Sequence, residues 1–346
     1  MMKSFVLALL SLFLSTAGFA SAMQGVRVEQ LGATSGFASS IAVDTRGNIY
    51  YTTTKGFVFR LDPDTKQSMP VAQVVTDAIG DSGLLGMALI NDDTAVVHYT
   101  TPGQTEDVVS KIDLDTGVET VMHRFVGDIT LPGRETPPEH HGGNPSVAAD
   151  GTIFVAIGDY GGGLIASLPE WNGGKIWRIF PDGSAEQFAR GVRNPFDMAY
   201  DAGKKRLFVP DNGAAVDDEL NVIQFGAYCG WPFTAGKGPA VEGAIAPLFV
   251  FPKIIAPTGV VQLSGKNRAL PGGYLVGGFV ARAIYWIPDI DVRPLPLPIP
   301  VIQGETSFVI DVAERADGEI FFTTGNAIYH LAITAPRLRV VRMGGH

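Results

Sequence analysis

One pattern recurs along the chain and constrains its fold more than any single residue does: an alternating apolar stretch, a polar turn rich in Asp and Gly, then a strongly apolar stretch. It occurs at SSIAVDTRGNIYYTTT (39–54), LGMALINDDTAVVHYTT (85–101), PSVAADGTIFVAIGD (145–159), FDMAYDAGKKRLFVPDN (196–212), GVVQLSGKNRALPGGYLVGGF (259–279) and FVIDVAERADGEIFFTTGN (308–326). Six copies at intervals of roughly fifty residues match the period of propeller blades. β-Branched and aromatic residues fill the apolar stretches and Asp-Gly or similar turns divide them, which predicts hairpin-linked antiparallel strands. Several copies continue into a third strand, as in FVFRLDPDT, SKIDLDTG, GKIWRIFPDG, AIYWIPD and AIYHLAI. With 42 glycines and 23 prolines the chain has little room for long helices. The expected fold is all-β, one six-bladed β-propeller in a single domain over residues 23–346. VRVEQL (26–31) alternates and is expected to pair with the last blade, closing the ring without a free sheet edge. RPLPLPIP (293–300) reads as an extended connection between the fifth and sixth blades.

The first residues, MMKSFVLALLSLFLSTAGFASAMQ, place Lys3 before an apolar run from Phe5 to Leu14 and end in Ala20-Ser21-Ala22, the small-x-small pattern of a cleavable signal peptide over residues 1–22. That run is short for crossing a bilayer. The mature protein is therefore expected to be periplasmic or secreted, with no membrane insertion. Acidic residues outnumber basic ones, 35 to 26, for a net charge of −9, a balance that argues against nucleic acid or an anionic membrane as partner. A single cysteine, Cys229, excludes an internal disulfide framework and every multi-cysteine zinc site.

Candidate chemistry starts at EHHGGNPSVAADGTIFVAIGDYGG (139–162). His140 precedes the third copy, and Asp159 ends its apolar strand. Antiparallel hairpin geometry returns the chain to its starting edge, which puts both residues at one end of a blade. A neutral imidazole with one nitrogen held by a carboxylate is the arrangement a general base needs near neutral pH. The competing reading is a solvated loop made mobile by Gly142 and Gly143. Asp217, Asp218 and Glu219 suit ion binding and structural hydrogen bonding equally, because three adjacent acids require compensation. Asp62 and Asp113 are turn formers. His98, His123 and His330 are expected to be packed or solvated. The four tryptophans are expected to line core or channel, Trp171 being the one set near the proposed site.

Further along, FARGVRNPFDMAYD (188–201) carries Arg193-Asn194-Pro195, and VPDNGAAVDDELNVIQFGAYCGWP (209–232) follows the fourth copy's second strand. With GLLGMA (83–88), GKIWRIFPDGS (174–184) and the His140-to-Asp159 spacing, these segments resemble the soluble quinoprotein family of glucose, sorbosone and aldose-sugar dehydrogenases. The resemblance implies a six-bladed propeller, pyrroloquinoline quinone (PQQ) and calcium (Ca2+) as cofactors, and a sugar-like small molecule as substrate. It makes His140 the base that takes the anomeric proton while hydride passes to the quinone, and Asp159 the residue that orients it. Arg193 and Asn194 match positions that contact the quinone oxygens, where a guanidinium stabilises developing negative charge. Gly213 and Ala214 match the two carbonyls that hold calcium, an ion that prefers oxygen ligands.

Several positions depart from that pattern. Val280, Phe308 and Ile310 stand where the glucose-oxidising members place a lysine and an arginine pair against the quinone carboxylates. Arg282 is the nearest replacement cation. Asp81 stands in place of a glutamine near the substrate, and Asn144 in place of an arginine. Two other readings follow from these departures: a calcium-dependent lactone or ester hydrolase with His140 as base, and a non-catalytic binding propeller that has lost the quinone site.

Overall fold

The six repeats fold into six antiparallel sheets, as seen in a computed structural model that describes residues 19–127, 139–238, 241–304 and 307–334. Blade one runs Ala38–Val43, Ile49–Thr53, Phe57–Asp62 and Gln67–Gln73 from the ring's centre outward, and blade two runs Leu84–Asn91, Thr94–Thr100, Glu106–Asp113 and Glu119–Val126. Blade three has Ser146–Val147, Ile153–Ile157, Lys175–Ile179 and Ala185–Arg190, with Ala227–Tyr228 added in parallel. Blade four has Ala199–Asp201, Arg206–Asp211, Glu219–Ile223 and Phe249–Val250. Pro257–Gln262, Tyr274–Gly278, Ala283–Ile287 and Ile299–Gly304 form blade five, and Asp311–Glu314, Ile320–Thr323 and Ala327–Ile333 begin blade six. The outer strand of blade six is Val26–Ala33, paired from Val26 against Ile333 to Ala33 against Ala327. The ring is thus closed by the segment the sequence nominated. Among the described residues there is no α-helix, only 3-10 turns at Pro102–Gln104 and Gly163–Ala166.

The apolar runs are nearly continuous because both faces of each inner strand are covered, one by each neighbouring blade. In blade three, Ile153, Val155 and Ile157 enter a cluster with Val96, Val109 and Phe125 of blade two, whereas Phe154 and Ala156 enter one with Leu207 and Val209 of blade four. Phe208 turns the other way and stacks on Tyr274 of blade five, their ring centroids 4.2 Å apart. Six clusters of this kind stand between successive blades.

One expectation requires correction. The Pro-rich segment lies within blade five, leading from its third strand into its outer strand Ile299–Gly304, because the third strand of each repeat is followed by a fourth. A proline at Pro300 is tolerated there because the strand is peripheral. Of the leader, residues 1–18 lie outside the described residues, while the backbone of Phe19–Ser21 pairs with Ile302, Gln303 and Gly304.

Inside the ring, side chains from the innermost strands join in a polar belt. Asp311 accepts the Ser40 hydroxyl at 2.9 Å and the N–H groups of Ile41 at 2.8 Å and Val312 at 2.7 Å. Asp197 accepts the N–H groups of Val260 at 2.6 Å and Met198 at 2.6 Å, and Nδ2 of Asn144 at 3.2 Å. The Met87 N–H reaches Oδ1 of Asn144 at 3.3 Å. Gly86 and Gly259 make room for it: a Cβ on Gly86 would lie 2.4 Å from Cα of Asn144, and one on Gly259 would lie 2.2 Å from Oδ1 of Asp311. Burial raises both carboxyls of this belt, Asp311 to about 6, and Asp197 is raised further by its charged neighbour Asp311. The belt is the floor on which the site stands.

Candidate functional site

At one end of the ring each blade's first strand begins and its second strand ends, and the site is built from those connections. Asp159 follows strand Ile153–Ile157 by two residues, and Gly158 between them touches the other half of the site: a Cβ there would lie 2.1 Å from the carbonyl oxygen of His140. His140 Nδ1 and Asp159 Oδ1 are 2.6 Å apart. The second carboxylate oxygen accepts Nε1–H of Trp231 at 2.7 Å, and Gly161 N–H reaches Oδ1 at 3.0 Å. Asp159 is buried, at 1 % exposure, so the Nδ1 proton of His140 and the indole proton satisfy it where water does not.

His140 has φ 62, a left-handed conformation that side chains rarely adopt. It is stabilised from outside, since its N–H donates to the Asp81 carboxylate at 2.5 Å. Burial raises the Asp81 carboxyl, against the lowering effect of that hydrogen bond. Gly142 and Gly143 do not loosen this loop. A Cβ on Gly142 would lie 2.0 Å from the carbonyl oxygen of Ala156 and one on Gly143 1.8 Å from that of Phe196, so both are glycine because the loop is clamped against two blades. Behind it, His98 Nδ1 meets the Gly143 carbonyl at 2.9 Å, while Asp107 is 3.2 Å from Nδ1 of His141 and accepts the Tyr160 hydroxyl at 2.5 Å. Burial alone would raise Asp107, but the charge and hydrogen bond of His141, with His98, outweigh it and hold the carboxyl below its usual range.

Arg193 and Asn194 lie between blades three and four. Their N–H groups both end on Asp211, at 2.9 and 2.7 Å, and the Arg193 carbonyl accepts the Asp159 N–H at 2.8 Å. Burial, with the Glu219 carboxylate opposite, pushes Asp211 up to about 7. The Arg193 guanidinium lies 5.6 Å from the Trp231 ring centroid and donates to the carbonyls of Asn212 at 3.1 Å and Gly213 at 3.0 Å. Asn194 Oδ1 is buried with no hydrogen-bond partner among the described residues. Ala214 is exposed.

The acidic run divides. Asp218 accepts the N–H groups of Gly213, Ile255 and Ala256 at 2.9, 2.7 and 2.8 Å and is structural. Glu219 is held by Asn221 and by the Gly236 N–H. Trp171 packs into the apolar cluster between blades two and three, and Trp231 is the tryptophan that reaches the dyad. Trp231 was read only as core or channel lining. Its place in Gly230-Trp231-Pro232, within the segment that carries the resemblance, was the available signal.

A cavity of about 530 Å³ opens above the belt, lined among others by Asp81, Asn194 and Asn212 and by Phe37, Phe279 and Ile310. Phe279 stacks on Phe308 with ring centroids 4.2 Å apart and planes 7° apart, and the Arg282 guanidinium lies 5.4 Å from the Phe308 centroid. Val280 is exposed and Ile310 buried. Among the described residues no group of three or more His, Cys, Asp or Glu side chains converges as a metal site.

The sequence profile of the glucose/sorbosone dehydrogenase family matches residues 37–331. The chain belongs to the glucose/sorbosone dehydrogenase family. Within it, 225 residues are 27% identical to quinoprotein glucose dehydrogenase B of Acinetobacter calcoaceticus, covering 52% of this chain and 47% of that protein. Aldose sugar dehydrogenase YliI of Escherichia coli (strain K12) is 26% identical over 215 residues, 55% of this chain and 52% of that one. The chain thus spans about half the length of the curated relatives it matches. The six-bladed fold recurs in a crystal structure of a glucose dehydrogenase, with TM-score 0.79 at 19% identity over 90% of this chain and 100% of that one. It recurs also in the PQQ-bound form of an aldose sugar dehydrogenase from Streptomyces coelicolor, with TM-score 0.75 at 21% identity over 91% of this chain and 100% of the other. The matched span includes His140, Asp159 and Trp231.

Proposed function

We propose that this family member is a sugar-dehydrogenase-type oxidoreductase acting on a hydroxylated small molecule. The observation that carries the reading is the His140–Asp159 pair beside the cavity, 2.6 Å apart and braced by Trp231. With the Nδ1 proton given to Asp159, the lone pair at Nε2 takes the proton of a substrate hydroxyl. As that proton moves, the carbon bearing the hydroxyl releases a hydride to a two-electron acceptor, and an alcohol becomes a carbonyl or a hemiacetal a lactone.

Pyrroloquinoline quinone is the acceptor the resemblance implies. Arg193 and the unpartnered Asn194 oxygen lie where polar groups of a quinone ring would need contacts. The other end does not fit. A tricarboxylate calls for cations, and Val280, Phe308 and Ile310 stand there instead, with the Asp81 carboxylate on the cavity wall and Arg282 set over the Phe308 ring. The calcium assignment fits no better, because the Gly213 carbonyl is engaged by Arg193. Proton removal by His140 is independent of which acceptor is used. The same missing cations favour one other reading, a binding propeller that keeps the loops without turnover.

The test is a titration of metal-stripped protein with PQQ plus calcium, read by quinone absorbance, followed by an aldose panel with artificial two-electron acceptors. Sugar-dependent acceptor reduction that disappears in His140→Ala supports the oxidoreductase. Sugar binding without turnover by any acceptor replaces it with the binding propeller. Export belongs to the same proposal: intact mass of the mature protein should place its first residue at Met23.

A further inference from the structure

The cavity beside His140 has a mixed lining, with Phe37, Phe196 and Phe279 as its aromatic members. Asp81, Asn194 and Asn212 come from the connections of blades two to four, and Phe37, Phe279 and Ile310 from those of blades five, six and one. The Phe279 ring continues outward into Phe308, face to face with it. Phe37 on the cavity wall is 47% exposed, and Phe308, stacked on the cavity-lining Phe279, is 36% exposed; such a surface gains when a ligand covers it. Phe37 is also seated, since its ring closes on Gly325, where a Cβ would lie 2.3 Å from it. Charge narrows the ligand further. Among the described residues no Lys or Arg lines this cavity, whereas Asp81 contributes a carboxylate to its wall, and the Arg282 guanidinium is drawn over the Phe308 ring.

We infer that the shelf formed by Phe37, Phe279 and Phe308 holds an uncharged aromatic substituent of the substrate, so that the preferred substrate class is a neutral sugar or polyol carrying an aryl group. This rests on the sugar-dehydrogenase reading of the same cavity and specifies its substrate. The hydroxyl to be oxidised lies toward His140 and the aryl ring lies on the shelf, where contact with the aromatic rings adds to apolar burial. A carboxylate on the cavity side of that ring would face Asp81.

The test is calorimetric binding to the purified full chain, with no turnover required. Glucose benzylated at its primary hydroxyl should bind about tenfold more tightly than glucose, a gain of the size aromatic stacking provides. The same ring bearing a carboxylate should lose that gain. Phe308→Ala, at a half-exposed position where the fold tolerates truncation, should abolish the advantage of the benzylated sugar over glucose. Equal affinities for the benzylated and plain sugars, or a gain that survives in both Phe308→Ala and Phe279→Ala, overturns the inference. Menadione binding more tightly than the benzylated sugar, with the same sensitivity to Phe308→Ala, also overturns it by giving the shelf to the electron acceptor. Selective aryl binding without oxidation by any acceptor leaves the shelf standing and removes the oxidoreductase reading.

Discussion

Asp81 accepts the backbone N–H of His140 at 2.5 Å while Asp159 lies 2.6 Å from its ring. Two carboxylates from different blades therefore fix one residue at its main chain and its side chain. That double hold maintains the left-handed backbone that aims the imidazole. If His140 is the base, His140→Ala should lower kcat by about 10²–10⁴-fold, with the thermal midpoint little changed. Trp231→Phe removes one donor from Asp159, a charge-assisted hydrogen bond of roughly 1.5–3 kcal/mol, and should lower kcat by about tenfold or more with KM less affected. Steady-state kinetics beside thermal melts check both, and a Trp231→Phe protein with undiminished kcat would remove the indole from the site.

The glycines beneath His140 predict a different outcome. Gly143→Ala must displace the Phe196 carbonyl, 1.8 Å from the added carbon, and should destabilise the protein by about 3 kcal/mol or more. Gly226 has a positive φ, which Gly143 lacks, but nothing lies within 4 Å of a Cβ there, so Gly226→Ala should cost only about 1 kcal/mol. Urea titrations of the pair should separate backbone strain from collision; equal losses would refute the clamp.

The belt predicts an inverted stability profile. Asp311 is raised to about 6 and Asp197 is also raised, so between about pH 4 and 6 the folded chain holds protons that the unfolded chain has released. Stability contributed by these groups is present in acid and declines as pH rises through that window, by a few kcal/mol in all. Melting temperatures should rise on going from pH 7 to pH 5, and Asp197→Asn should flatten the slope. A wild-type profile that falls over that interval would contradict the assignment.

Cys229 is 8% exposed, and burial raises its thiol far above the ordinary value. The thiolate is the reactive form. The native protein should therefore resist iodoacetamide at pH 8 and react with one equivalent once denatured, as read by intact mass. Modification of the folded protein at the rate of a free thiol would show that the core between blades three and four opens readily.

The architecture was legible because the inner strands repeat one pattern, and Val26–Ala33 was legible because alternation survives in it. Outer strands such as Gln67–Gln73 and Glu119–Val126 were not, since each has a single buried residue and its apolar residues do not repeat the inner-strand pattern. The His140–Asp159 pair was read from two ends of one repeat. The belt was not, because Ser40, Asn144, Asp197 and Asp311 are ordinary polar residues in sequence and meet only when the ring closes. Gly142 and Gly143 were misread as mobile because the sequence shows a small residue without showing what crowds it.

The clusters between blades carry a consequence for how the molecule comes apart. Each wedge of the ring supplies half of two cores and owns neither, much as stones in an arch stand only against one another. Excising any single repeat would uncover apolar surface on both sides of the gap, so loss of structure should spread around the whole circle. A circular permutant cut in an outer loop keeps every seam and is the rearrangement this geometry best tolerates.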